Sequence, residues 1–123
     1  MNILLVSIGA IFGAVFRWQL GVWLNSTFQA VALGTLFANV AGCFLIGIAL
    51  GLSLQDSQKL LFVTGFLGSF TTFSSLWAEI AEKLLQEKWW SVLTIFSLHT
   101  LGGLCATLLG IFLVRAMASG RFY

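Results

Sequence analysis

Four apolar runs, each close to the roughly 20 residues a helix needs to cross a bilayer, follow one another with only short polar breaks. They cover approximately 3–24, 33–54, 60–80 and 92–114. The chain is 59% hydrophobic and 8% charged, with a mean hydropathy of +1.02. A soluble domain of this size has too few polar groups to cover such a surface. The expected fold class is therefore an all-α membrane protein with four transmembrane helices, a single integral membrane domain over 1–123. Met1-Asn2-Ile3-Leu4-Leu5 lacks a basic region and runs straight into the first apolar segment, so it reads as a transmembrane start and not as a cleaved signal peptide.

Within the third run, Gly65 to Leu76 holds two glycines and five hydroxyl side chains in twelve residues. Glycine and β-branched threonine propagate a helix poorly, and the chain has no proline to supply a break by other means. The third helix is thus expected to be broken near its middle. Backbone freed at membrane depth has to be shielded by protein or line a wet cavity, which makes this stretch a permeation or binding element. The other reading is a Gly/Ser/Thr helix-packing face.

Small residues at helical spacing (Gly9 and Gly13, Gly47 and Gly51, and Gly103, Ala106 and Gly110) mark faces where helices approach closely. Cys43 and Cys105 both fall in apolar segments and read as small buried side chains, not a disulfide or metal pair. With one histidine and four carboxylates the chain has few groups for acid–base catalysis, so it is not read as an enzyme. A net charge of +2 argues for no nucleic-acid partner. Lys59, Arg115 and Arg121 lie on one side of the membrane, against Lys83 and Lys88 on the other, with Arg17 added if it snorkels outward. So small a bias gives the positive-inside rule almost nothing to act on. Insertion in both orientations, and with it an antiparallel homodimer, is one expectation; a topology fixed by other features is the other.

Several residues stand out chemically. Arg17 lies deep in the first run, where a charge is costly and marks function by default; it is read as lining a vestibule, against snorkelling beside Trp18. Asn39 is the one strongly polar residue of the second run, fit either to glue helices or to donate to an anion. Phe70, Phe73, Leu76 and Trp77 have i, i+3, i+4 spacing and are expected on one helical face. Ring edges are electropositive, and beside hydroxyls such as Ser74 they can receive a small anion. His99 and Thr107 share a face of the fourth run, and Glu79 closes the third toward headgroups or a vestibule.

Gly13-Ala14-Val15-Phe16-Arg17-Trp18, then Gly34-Thr35-Leu36-Phe37-Ala38-Asn39-Val40-Ala41-Gly42, then Gly65-Phe66-Leu67-Gly68 with Thr71-Thr72-Phe73-Ser74 and Glu79, together resemble the Fluc/CrcB fluoride channels. The resemblance covers nearly the whole chain, in order. It implies an antiparallel dimer in the plasma membrane and fluoride as the transported ion. It also implies a structural sodium ion at the dimer centre, held by the main-chain carbonyls of Gly68 and Thr71. The implied fluoride pathway takes in Asn39, Phe70, Phe73, Ser74, Leu76, His99 and Thr107, with Arg17 and Glu79 at the vestibule. Leu76 stands where the family has a second pore phenylalanine, and a related subunit in a heterodimer is one way to supply that ring. Two other classes fit four short helices. Small multidrug exporters need a carboxylate deep in the first helix, where this chain has Arg17. A non-transporting scaffold would use every polar residue for packing.

Overall fold

The computed structural model describes residues 1–27 and 31–118; Arg121 and Tyr123 of the basic tail lie outside them. The described residues form four helical spans long and apolar enough to cross a membrane. The first is α1 (Asn2–Leu24) and the second α2 (Leu33–Gly51). The third is segmented into α3 (Asp56–Gln58), a π-helical stretch (Lys59–Leu67), α4 (Gly68–Phe70) and α5 (Phe73–Leu85). The fourth is α6 (Trp89–Ala118).

The bounds differ from the hydropathy runs for local reasons. α2 stops at Gly51 because Leu52 is extended (φ −94°, ψ 151°), which ends the helical hydrogen-bond ladder. The third span starts earlier, at Asp56, where Gln55 and Gln58 cap each other through side chain and backbone. It ends later, at Leu85, because α5 is amphipathic: Glu82 and Lys83 interrupt hydropathy without interrupting the helix. Glu87 takes the left-handed conformation (φ 57°) in the connector that leads into α6.

Two interfaces dominate, and both are made by glycines that let backbone meet backbone. A Cβ on Gly9 or Gly13 of α1 would strike main-chain atoms of Leu61, Phe66 and Phe70 in the third span. A Cβ on Gly47 would strike the Thr107 carbonyl, and one on Gly110 would meet the backbone of Phe44 and Ile48, so α2 and α6 lie in direct contact. Where no hydrophobic effect drives association, such close packing supplies the cohesion. A small apolar cluster of Val31, Ile80 and Ile95, flanked by Leu36, Leu76 and Val92, holds α5 against α6 and the start of α2. Cys43 is half-buried, but Cys105 is exposed, because its side of α6 turns away from α2.

The break falls at Thr71 (φ −86°, ψ 155°) and Thr72 (φ −145°, ψ 118°), both extended. Gly65 and Gly68 remain helical, so β-branched residues interrupt the span while Gly65 serves close contact with Val6 and Gly9. This corrects the single aromatic face expected across Phe70 and Phe73. Two extended residues reset the helical phase between them. Phe70 is 6% exposed and stacks on Phe66 (5.4 Å) in a ladder that continues to Phe62. Phe73 is 76% exposed on the other side of the break.

Replacing Gly110 by leucine is expected to lower the thermal midpoint of the detergent-solubilised protein markedly, since overpacking costs ~1–3 kcal/mol even where side chains can yield. Gly102→Ala, whose Cβ would meet only Val40 Cγ2 at 3.5 Å, should be neutral. Equal midpoints for both in an unfolding scan would refute backbone contact between α2 and α6.

Candidate functional site

A break in a membrane helix strands backbone groups, and the site is built from how they are satisfied. The Thr72 N–H would bond the Gly68 carbonyl in a continuous helix; instead it donates to Asn39 Oδ1 at 2.7 Å. The Thr72 carbonyl accepts from Asn39 Nδ2 at 2.9 Å. One amide from α2 therefore pairs with both main-chain groups of a single residue in the third span. The second Asn39 amide hydrogen faces His99 Nδ1 of α6 at 3.1 Å. Both hydrogens are engaged within the protein, so an anion meeting Asn39 has to take one from Thr72 or from His99.

Either side of that pairing, the ends of the half-helices are finished by side chains. Thr72 is the N-cap of α5: its Oγ1 accepts from the Ser75 N–H (3.2 Å) and its hydroxyl donates to Ser75 Oγ (3.0 Å). Thr71 donates from its N–H and its hydroxyl to the Leu67 carbonyl. Arg17 reaches from α1 to donate from Nε to the Ser69 carbonyl at 2.9 Å, an acceptor that Phe73 N–H would have occupied in an unbroken helix. The deep arginine is thus half-buried and anchored to the break.

Asn39, Thr71, Thr72, Phe73, Leu76 and His99 line one open groove of about 410 Å³, with Gly42, Cys43, Ile46, Val63, Leu67 and Gly68 completing its walls. Leu76 is half-buried and rests on the apolar cluster. Phe73 meets Trp77 edge-on (6.0 Å) at the groove's rim, and Trp77 meets Phe96 (6.3 Å). His99 is 8% exposed, and its Nε2 is buried without a hydrogen-bond partner among the described residues.

Other expected residues lie elsewhere. Phe70 borders a separate apolar recess with Val15, Phe16 and Trp23. Ser74 is exposed next to Phe73 and is not a groove wall. Thr107 donates to the Gly103 carbonyl of its own helix (3.0 Å) and packs its backbone on Gly47. Glu79 Oε2 accepts from the Ala32 N–H (2.6 Å) at the start of α2, a favourable position for a carboxylate; Asn25 Oδ1 accepts from the Thr35 N–H there as well (3.0 Å). The sequence assigns no role to Ser75, and Thr72 and Gly42 enter it only as members of the stretches that carry the family resemblance. Thr72 carries one legible signal, a Thr-x-x-Ser spacing at a helix start, but its partnership with Asn39 spans 33 positions and has no local signature.

Main-chain oxygen is the donor this site offers a cation. Among the described residues no cluster of three His, Cys, Asp or Glu side chains suits a metal. The Gly68 carbonyl loses its helical partner to Asn39, and the Thr71 carbonyl loses its own because the Ser75 N–H turns to Thr72 Oγ1. Both residues line the groove. Freed carbonyls of this kind suit a hard monovalent cation.

The family model described as CrcB-like protein, Camphor Resistance (CrcB), matches residues 4–111. The chain is 60% identical over 123 residues to a Fluoride-specific ion channel FluC of Haemophilus ducreyi, covering all of this chain and 99% of the relative. It is 49% identical over 119 residues to the protein of that name from Pasteurella multocida, with 93% of each covered. The Mannheimia succiniciproducens relative, named likewise, is 44% identical over 119 residues, covering 93% of this chain and 94% of its own.

Replacing Asn39 by leucine leaves the Thr72 N–H and carbonyl unpaired, at a cost of about 1–3 kcal/mol for each group that stays buried. Hydrogen–deuterium exchange of the Thr72 amide is expected to accelerate sharply relative to the α2 amides. Unchanged protection would mean that Asn39 does not hold the break.

Proposed function

The chain belongs to the CrcB family, and from that premise we infer that it is a fluoride-selective channel, a multi-pass protein of the plasma membrane that lets fluoride leave the cell passively. It confers resistance rather than catalysing a reaction. In acid surroundings HF enters by diffusion and dissociates inside, and the membrane potential then drives the anion out through the channel.

The observation that carries the reading is the exposed Phe73 ring in a largely apolar groove into which the Asn39 amide, the Thr71 and Thr72 residues and the His99 imidazole converge. A small anion shedding water needs replacement donors, and ring edges and hydrogen-bond donors supply them without a fixed charge that would trap it. α5 begins at this point, so the positive end of its dipole lies beside Phe73 at membrane depth. Asn39 holds that helix start in place and can lend a hydrogen to the passing ion; Phe73 offers its edge. Arg17, tied to Ser69, raises the local anion concentration from the vestibule.

The working form in this reading is an antiparallel homodimer whose subunits meet over the groove. Its support is the near-even Lys/Arg distribution and the thin interior of one subunit, in which only 11% to 28% of each span is buried. In that dimer the Gly68 and Thr71 carbonyls would hold a structural sodium ion. Such an ion would supply positive charge beside the break.

The test is efflux from liposomes containing the purified protein, followed with fluoride- and chloride-selective electrodes. Fluoride release without chloride release is expected, and Phe73→Ile and Asn39→Asp should each lower it at least about tenfold, the equivalent of losing one good hydrogen bond to an ion. Near-wild-type rates in both variants would remove the pore assignment. Silence from folded protein that recovers on co-expression with a related subunit would replace the homodimer by a heterodimer completing the ring missing at Leu76.

A further inference from the structure

The hydrogen bonds around Asn39 determine more than its own orientation. Asparagine oxygen and nitrogen are ordinarily assigned by their network, and here the network leaves one solution. The Thr72 N–H can only donate and the Thr72 carbonyl can only accept, so Oδ1 faces the former and Nδ2 the latter. Nδ2 is then a donor in every direction, and His99 Nδ1, 3.1 Å away, has to accept. An imidazole that accepts at Nδ1 carries its proton on Nε2. A protonated ring, or the other tautomer, would turn an N–H against the amide's own N–H and push Asn39 off Thr72.

We propose that His99 is a positioning residue for the permeation site: its unprotonated Nδ1 locks the Asn39 amide across the helix break and thereby fixes the start of α5 and the Phe73 ring. The role is distinct from touching the ion. It runs from α6 through α2 to the third span, and each link is a direct contact: His99 to Asn39, Asn39 to both main-chain groups of Thr72, and Thr72 as the cap of the helix that begins with Phe73. The ring is suited to this task by burial: it is 8% exposed where it lines the groove, and its Nε2 is shielded. Ile95, one turn earlier on α6, is fully buried and helps fix that stretch of the helix.

His99 is the chain's single histidine, so its ring can be read without assignment in protein carrying no histidine tag. Long-range nitrogen–proton NMR on the full-length protein, labelled at histidine and reconstituted in lipid, should show the Nε2–H tautomer, with Nδ1 unprotonated and shifted as a hydrogen-bond acceptor. Asn39→Ala should move the Nδ1 resonance toward that of a free acceptor. In the liposome assay His99→Leu, which has no acceptor, should lose fluoride flux by about tenfold or more. His99→Asn, whose side-chain oxygen can sit where Nδ1 sits, should recover most of it. An Nδ1–H tautomer, an Nδ1 resonance indifferent to Asn39→Ala, or wild-type flux in His99→Leu would each overturn the proposal. Equal loss in His99→Leu and His99→Asn would overturn it too, since the ring's bulk and not its acceptor would then matter. The flux arm rests on the channel reading, whereas the spectroscopic arm does not: wild-type protein silent in liposomes both alone and with a related subunit refutes the channel, and the tautomer still judges His99.

Discussion

Everything distinctive about this molecule follows from one constraint: backbone polar groups inside a bilayer have to find partners in protein. Interrupting a helix at Thr71 and Thr72 releases donors and acceptors that lipid cannot satisfy. Asn39 answers for Thr72 on both sides, Arg17 answers for Ser69, and the Thr72 and Thr71 hydroxyls finish the two half-helix ends. Groups from α1 and α2 therefore converge on a two-residue interruption in the third span, and His99 of α6 backs Asn39 from behind. The Gly68 and Thr71 carbonyls are among the acceptors that lose their helical partners at the break.

Close helix packing makes that convergence possible. An asparagine side chain is short, and it reaches the main chain of another span only if the helices nearly touch. Gly42 of α2 lies against the Thr71 methyl group, Gly13 of α1 against the backbone of Phe66 and Phe70, and Gly47 and Gly110 bring α2 and α6 together. The same glycines that stabilise the bundle thus set the range over which its few polar groups can act. The break also sorts the aromatic residues. Phe62, Phe66 and Phe70 stack within the bundle, while Phe73 lines the groove with Trp77 packed against its ring.

Much of this was legible in the chain. Four spans follow from apolar length, the interruption from a Gly/Ser/Thr-rich run, and the importance of Arg17 and Asn39 from the rarity of polar groups at such depth. Less legible was what those polar groups hold. Asn39 and Thr72 are 33 positions apart and Asn39 and His99 are 60 apart, and no periodicity links them. Phe70 and Phe73 were assigned to one face because helical spacing assumes an unbroken helix, and two extended residues invalidate it. Thr107 and Ser74 carry the right chemistry at plausible positions, yet one bonds its own helix and the other lies outside the groove.

The sequence by itself determined the solvent, the number of spans and the place where one of them fails, because hydropathy and helix propensity are local properties of consecutive residues. Only the tertiary structure decided which groups repair the failure and which ring is left facing the groove. A hydrogen bond depends on distances of a few tenths of an ångström, and those are set by how glycine faces seat one helix on another. The orientation of the Asn39 amide, and through it the side of the His99 ring proposed to carry the proton, exists only once α2, α6 and the third span have met around Asn39.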